Sequence, residues 1–329
     1  MRKLPNMHLQ FTGACAAGAL LLNGAIPAAL AQTYPVKPVR LIGPSAAGGG
    51  TDILGRLIAQ KLTEALGQTV VIDNRAGADG ILGSDIVAKS VADAYTILLA
   101  SSSHAINPTV YPKIPYDTLR DFACITQTAA QQIVLVVHPS LPVTSVKELI
   151  AYAKANPAKL NFASSSKATQ LPMELFNTMA GIKMAHIPYK GSGPALNDLI
   201  GGQIQVSFGG AVSFTPHIRA GRLRALAIGD AQRSAFMSDV PTAAEAGVPG
   251  FQATIWTGMY VPAATPRALV QRLNGEVVRI VRLPDLKERL QAQGADPIGS
   301  TSAQCDAYMK TEITKWAKVA KDAGIQPEG

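Results

Sequence analysis

The chain of 329 residues has few of the residues that catalysis, metal binding or nucleic-acid recognition usually require. Aromatic residues make up 5% of it, and the formal net charge of +8 comes from Lys and Arg residues scattered along the sequence. Because a nucleic-acid surface needs clustered basic residues and aromatics, no nucleic-acid partner is expected. The five histidines are isolated from one another, which excludes the usual zinc spacings and predicts no metal site.

The motifs of common catalytic and cofactor sites are also missing. There is no Gly-x-Ser-x-Gly elbow, and the contiguous Gly48, Gly49 and Gly50 fit neither a nucleotide P-loop nor a dinucleotide fingerprint. Ser103 precedes His104, but adjacent residues seldom form a nucleophile and its base, so hydrogen bonding within a loop is the expected role. These absences predict a binding protein without a cofactor, and not an enzyme.

Cysteine is scarce, and long apolar runs are confined to the N-terminus. Arg2 and Lys3 precede an apolar, small-residue segment that ends at Ala31, which is typical of a signal peptide covering residues 1–31. We predict cleavage after Ala31 and export of the mature chain. Cys124 and Cys305 then remain, and their separation fits no compact disulfide framework. Two buried thiols are expected, although the sequence leaves the pairing open.

What the sequence does contain is a regular alternation of short apolar strands and amphipathic helices. Predicted strands at residues 39–42, 69–72 and 95–100 alternate with helices at 52–66 and 81–89, and a second such series begins at residue 132. This pattern predicts an α/β fold of open, mostly parallel sheets flanked by helices. We predict two lobes, one built from residues 32–131 and 254–329 and the other from residues 132–253, with a ligand cleft between them.

Polar loops follow several of the predicted strands. The stretch PSAAGGGTD, Pro44 to Asp52, joins the first strand to the first helix, and SSSKAT occupies residues 164–169. The first N–H groups of a helix have no partner within it, and glycines let the backbone approach a ligand closely. A tight turn without a ligand is an equal alternative for a glycine-rich loop taken alone. Together these loops favour a small anion held by backbone N–H and hydroxyl groups.

Five motifs in order along the chain resemble those of the periplasmic solute receptors of tripartite tricarboxylate transporters, the Bug family. The glycine-rich loop is the first, and Asn74-Arg75 with Gly77-Ala78 is the second, although Asp79 stands where glycine is usual. The other three are His104 to Pro108 with the downstream Pro115-Tyr116-Asp117 and Asp121-Phe122, then His186 with Pro188 to Gly191, and Pro241-Thr242 with Glu245 and Gly247. The resemblance covers essentially the whole chain after the signal peptide.

This resemblance implies a two-lobed, periplasmic-binding-protein-like receptor that closes over a small carboxylate. It implies a periplasmic, monomeric protein that delivers its ligand to membrane permease subunits. The sequence also allows a sensor that presents the ligand to a membrane kinase. A less favoured alternative is an exported hydrolase or transferase. The predicted ligand-binding residues are Ser45, Ala46, Ala47, Gly48, Gly49, Gly50, Thr51, Asp52, Ser102, Ser103, His104, Ser164, Ser165, Thr169, Tyr189 and Gly209.

Three departures from the family pattern bear on specificity. Ser45 stands where an aromatic residue is common, and the second-lobe loop around Lys167 is shorter than usual. Gly209 stands where many members have an aspartate, which favours a plain carboxylic acid over an amino acid. Lys167 is expected either to neutralise a second ligand carboxylate or to be a solvated surface lysine.

Overall fold

Ten strands form one sheet in the computed structural model, which describes residues 34–157, 159–234, 237–292 and 294–325. The predicted signal peptide and its cleavage site lie outside the described residues. The strands are β1 (Val39–Gly43), β2 (Val70–Asn74), β3 (Thr96–Ser101), β4 (Phe122–Val137), β5 (Asn161–Ser164), β6 (Ala185–Pro188), β7 (Val206–Gly210), β8 (Arg224–Ile228), β9 (Thr254–Pro262) and β10 (Ala295–Pro297).

Helices flank this sheet, which gives the α/β architecture that the sequence predicts. They are α1 (Gly50–Leu66), α2 (Ile81–Ala88), α3 (Ser103–Val110), α4 (Val146–Ala155), α5 (Lys167–Ala180), α6 (Ser192–Ile200), α7 (Ala211–Arg219), α8 (Arg267–Val281), α9 (Pro284–Ala292) and α10 (Ser302–Asp322). In α1 the apolar residues Leu54, Ile58 and Leu62 recur at helical spacing and are all buried, and the left-handed Gly67 ends the helix.

The sheet has two sections, each with a parallel core. In the first section β1 lies between β2 and β3, and in the second β5 lies between β6 and β7. Strand β4 belongs to both sections: it pairs with β9 and β10 along its first part and with β7 and β8 along its last part, always antiparallel. Because β4 and β9 lie between the parallel cores, they are the route by which the two sections are joined. The assignment of residues to two separate lobes stays a prediction.

Three elements differ from the sequence-based prediction. Strand β4 begins at Phe122, ten residues before the predicted start, because pairing with β9 sustains a segment whose sequence mixes apolar and polar residues. Helix α3 occupies a segment expected to be a loop. Helix α5 begins at Lys167, within the predicted loop at residues 164–169, because Ser166 and Thr169 form a capping box there.

The prediction of two free thiols is wrong, because Cys124 and Cys305 form a disulfide. Cys124 lies in β4 and Cys305 in α10, with their Cα atoms 6.1 Å apart. The helix packs against the strand, so residues 181 positions apart in the chain become neighbours. The spacing of the two cysteines along the chain does not predict this contact, because the contact depends on how the helix packs against the strand.

We expect reduction of this disulfide to lower the free energy of unfolding by about 2–4 kcal/mol, because the bond restricts the unfolded chain over a long loop. Urea unfolding with and without dithiothreitol measures the difference. The double variant Cys124→Ala/Cys305→Ala is the control and should not respond to dithiothreitol. Equal unfolding midpoints for the oxidised and reduced wild type would contradict the expectation.

Candidate functional site

The glycine-rich loop leaves β1 and enters α1 at Gly50. Gly48 has a φ of 80°, a left-handed conformation that favours glycine, and the Gly49 N–H donates to Ala46 O at 3.3 Å. The Ile53 N–H donates to Gly49 O at 3.0 Å, the first bond of the helix. The N–H groups of residues 50–52 precede that bond, so they lie at the positive end of the helix dipole.

The Asp52 carboxylate fixes this loop from the inside. It is 3% exposed; Oδ2 accepts from the Gly48 N–H at 2.8 Å and from Arg56 Nε at 3.0 Å, and Oδ1 accepts from Asn74 Nδ2 at 3.0 Å. Burial would raise the pKa of Asp52, but the hydrogen bonds from Arg56, Gly48 and Asn74 outweigh it and hold the pKa below its ordinary value. Asp52 therefore shapes the loop, and its direct contact with a ligand stays a prediction.

The second motif, Asn74-Arg75 and its glycines, supports the same loop from behind. Asn74 Nδ2 also donates to Ser45 O at 3.1 Å, and the Arg75 N–H donates to Gly43 O at 2.8 Å. Pro44 packs so closely against α2 that a Cβ at Gly83 would lie 2.8 Å from Pro44 Cβ. Two sequence motifs that are separate along the chain thus form one support.

Hydroxyl groups line a cavity of about 40 Å³ in the second section of the sheet. Its polar lining is Ser164, Ser165, Thr169, Ser192, Ser207 and Ser213, with Gly209 and Gly210 at the end of β7. Helices α5, α6 and α7 all begin around this cavity, so three further helix N-termini meet there. The Ser165 and Ser192 hydroxyls are 3.3 Å apart, and Thr169 Oγ1 accepts from the Ser165 N–H at 3.1 Å.

Gly209, which lines this cavity, and Tyr189, which contacts the lining residue Ser164, have a clear packing role. A Cβ at Gly209 would lie 2.6 Å from Phe214 Cζ, so the phenyl ring occupies the space of any larger residue. Tyr189 donates its hydroxyl to Asp198 Oδ2 at 2.7 Å, and its N–H donates to Ser164 O at 2.9 Å. Burial and the Asp198 carboxylate raise the pKa of Tyr189 to about 12.

Ser102, Ser103 and His104 are buried where β3 passes into α3. Ser102 Oγ accepts from the Trp256 N–H at 2.9 Å, which ties the end of β3 to β9. The His104 ring packs against Tyr116, Phe122 and Tyr260, and its Nδ1 lies 3.2 Å from Ser84 Oγ. Burial lowers the pKa of His104 to about 3, which keeps the imidazole neutral. The structure gives these residues a packing role, and their contact with a ligand stays a prediction.

Lys167 is not the solvated surface lysine that the sequence allowed. Its residue is only 6% exposed in the first turn of α5, and Nζ donates to Gln170 Oε1 at 2.9 Å. A cation in the first turn of a helix opposes the helix dipole. The short side-chain bond therefore helps to hold a charge that the helix alone would disfavour.

The predicted residues therefore fall into three groups: the loop at residues 45–52, the residues at the hydroxyl-lined cavity, and the buried residues 102–104 at the start of α3. Sequence reasoning missed Gln131, which lies between the first two groups: a Cβ at Gly50 would lie 2.8 Å from Gln131 Nε2, and one at Gly210 would overlap Gln131 Oε1. The signal that could have found it is the pair Gln131-Gln132 directly before the apolar run IVLVV.

No group of three or more His, Cys, Asp or Glu residues in the described part of the chain is arranged to hold a metal ion. Among the helices of that same part, none combines the length and the apolar character needed to span a membrane.

A family model, described as the tripartite tricarboxylate transporter family receptor, matches residues 54–325. The chain belongs to this receptor family. Protein BugT of Bordetella pertussis is 40% identical to the receptor over 300 residues, which cover 90% of this chain and 92% of BugT.

Solved structures agree with this assignment. Rpa4515 of R. palustris with adipate has a TM-score of 0.87 and 39% identity, and covers 90% of the receptor and 100% of that chain. The malate-bound MatC of Rhodopseudomonas palustris has a TM-score of 0.81 and 30% identity, and covers 87% and 99%. The periplasmic binding protein BugD has a TM-score of 0.84 and 31% identity, and covers 90% and 100%.

These comparisons confirm three predictions. The receptor is a Bug-type protein with a periplasmic-binding-protein fold, and its relatives are substrate-binding receptors and not enzymes. Receptors of this family are periplasmic, bind small carboxylates and work with tripartite transporters.

The Asp52 network predicts a pH-dependent contribution to stability. Asp52→Asn keeps the shape but removes the charge, and we expect a loss of about 1–2 kcal/mol at pH 7, because hydrogen bonds to a charged group are weakened. Since the folded pKa lies below the ordinary 3.8, the wild-type advantage is present above that value and is lost as the pH falls through the folded pKa. Urea unfolding from about pH 2.5 to about pH 7, which spans the range in which carboxyl groups titrate, measures the stability difference between the two proteins.

The matched control is Asp322→Asn, which removes the acidic member of an exposed pair with Lys318 at the same four-residue spacing. An exposed pair contributes little, so this variant should unfold like the wild type. An equal loss in both variants, or a loss at Asp52 that persists at the acid end, would show that the buried charge does not stabilise the loop.

Proposed function

We propose that the receptor binds a small carboxylate between the glycine-rich loop and the hydroxyl-lined cavity. The observation that carries the proposal is the open start of α1, whose loop is fixed by the buried Asp52 network. Rpa4515 with adipate and MatC with malate, both similar over nearly the whole chain, support this ligand class.

Helix N-termini and hydroxyls suit a carboxylate because they donate hydrogen bonds without taking up or releasing protons. The N–H groups that begin α1 would contact the anion from the first section, and Ser165 and Ser192 would contact it from the second. Asp52 already has three donors of its own, so the N–H groups of residues 50–52 are left for the ligand.

The second section favours a plain acid over an amino acid. A ligand ammonium group would need an acidic partner in the cavity, and at the family's aspartate position the chain has Gly209. Phe214 occupies the space that a side chain at position 209 would need, and none of the residues that line the cavity is acidic. We propose that neutral or hydroxylated carbon chains, and not amines, follow the carboxylate into this site.

We also propose that the receptor takes part in transport. The signal peptide would be cleaved after Ala31, and the mature monomer would close its two lobes about β4 and β9 before it delivers the ligand to a membrane permease. Trp256, at the crossing, is tied by its N–H to Ser102 at the end of β3, which links the crossing strands to the first section.

A ligand screen tests the proposed function. The chain from Gln32 onward is heated with adipate, malate, citrate, acetate, aspartate and ATP. A ligand that binds only the folded state at a hundred times its dissociation constant adds about 2.7 kcal/mol of stability. A rise in melting temperature with one carboxylate class supports the proposal, whereas a rise only with ATP, or with no compound, would refute carboxylate binding.

The conformation of the loop gives a sharper test. Gly48→Ala forces a side chain into a left-handed conformation with no atom within 4 Å of the new Cβ, so the strain acts through the backbone alone. We expect affinity for the carboxylate to fall roughly tenfold, equivalent to about 1.4 kcal/mol, measured by calorimetry.

Gly67→Ala is the matched control, because Gly67 also has a positive φ and open space but lies at the opposite end of α1. Both variants should lose similar stability, and only Gly48→Ala should lose affinity. Equal affinities in the two variants would remove the glycine-rich loop from the ligand site.

A further inference from the structure

Gln131 lies at the point where β4 passes from one section of the sheet to the other. Its neighbours across the sheet are Ile255 in β9 and Ala295 in β10, both in the first section. Two residues later, Ile133 pairs with Gly210 in β7, in the second section. The side chain of Gln131 therefore starts from the crossing itself.

The carboxamide of Gln131 fills the space between two helix N-termini. Gly50 is the first residue of α1, and Gly210 is the residue that precedes α7. The amide nitrogen faces Gly50 and the amide oxygen faces Gly210, so closely that a side chain at either position would displace the amide. The amide thus lies beside the first turns of two helices, where the helix dipoles are positive.

Gln131 is only 5% exposed, and no described residue forms a hydrogen bond with its carboxamide. Unlike Gln132 Oε1, the amide atoms of Gln131 are not fully enclosed, so a bound group can reach them and supply a hydrogen bond. The two helix N-termini beside it attract an anion. Both observations are satisfied by one carboxylate oxygen next to Gln131 Nε2.

We propose that Gln131 is a specificity-determining residue of the carboxylate site. Nε2 donates a hydrogen bond to the carboxylate held at the start of α1, while Oε1 faces the start of α7. Gln131 thereby contacts the ligand from β4, the strand that both sections of the sheet share. This inference rests on the proposed carboxylate function, and deepens it by naming the contact at the floor of the site.

The adjacent Gln132 supplies a matched control. It is also buried and of the same type, but successive residues of a strand point to opposite faces of the sheet. Its Oε1 is fully enclosed and has no hydrogen-bond partner among the described residues. A substitution there changes the same chemistry in the same strand, on the face away from Gly50 and Gly210.

The first experiment measures affinity by calorimetry, with adipate and malate as probes. Gln131→Met keeps the size and removes the hydrogen bond, and should weaken binding about 5- to 30-fold. Gln131→Glu places a second negative charge against the ligand and should weaken binding more than 100-fold, since repulsion adds to the lost donor. Gln132→Met should bind as the wild type does. Wild-type affinity in Gln131→Met would overturn the proposal.

The second experiment needs no ligand, so it separates this proposal from the proposed function. In Gln131→Glu the new carboxylate itself occupies the space between the helix N-termini, and at pH 7 the melting temperature should rise by about 2–4 °C. The rise should disappear as the pH falls below about 4, where the carboxyl is protonated. Gln132→Glu buries a charge away from those helix ends and should melt at a lower temperature.

The two experiments distinguish a failure of this proposal from a failure of the proposed function. A higher melting temperature for Gln131→Glu with no wild-type binding of adipate or malate would support an anion site at Gln131 and refute the proposed binding of these ligands. If Gln131→Glu and Gln132→Glu lose the same stability, the space beside Gln131 does not favour an anion and the inference is overturned.

Discussion

The constraint on which the rest of the structure depends is the continuity of β4. This one strand donates and accepts backbone hydrogen bonds in both sections of the sheet, first with β9 and β10 and then with β7 and β8. Backbone groups in a sheet interior must be paired, so neither section can shift along β4 without breaking its ladder. The strand therefore sets how far the start of α1 lies from the starts of α5, α6 and α7, and motions that preserve the ladder are confined to bending at the crossing.

Around that crossing, charge is arranged so that the site can receive an anion. Asp52 lies in the first turn of α1, where a free carboxylate would itself satisfy the helix N-terminus. Its oxygens are instead bound by Gly48, Arg56 and Asn74. The positive Arg56 balances the charge of Asp52, and the N–H groups of residues 50–52 precede the first bond of the helix. The same carboxylate thus holds the loop in shape without competing with a ligand.

Periodicity in the sequence was sufficient to predict most strands and helices, because apolar spacing of two or 3.6 residues reflects which face is buried. It failed for the first half of β4, where Thr126, Gln127 and Thr128 are buried polar residues. Their partners are remote: Thr126 Oγ1 donates to Ser300 O at 2.7 Å, and Thr128 Oγ1 lies 2.8 Å from Thr257 Oγ1. The glycine-rich loop was recognisable because its chemistry is local, whereas the disulfide and the crossing strand depend on contacts between distant segments.

The same reasoning explains why Gln131 was missed although it lies between two of the groups that were found. A sequence cannot distinguish a buried polar residue that serves the core from one that serves a ligand; both interrupt an apolar run. Hydrogen bonding and position together separate them in the structure. Thr128 is satisfied by Thr257 and belongs to the core. Gln131 is equally buried but unsatisfied by the described residues, and it faces two helix N-termini across positions that only glycine can occupy without displacing it. Gln131 is buried, has no partner among the described residues and lies against Gly50 and Gly210, where any side chain would displace its amide. These three features together indicate a residue that binds a ligand.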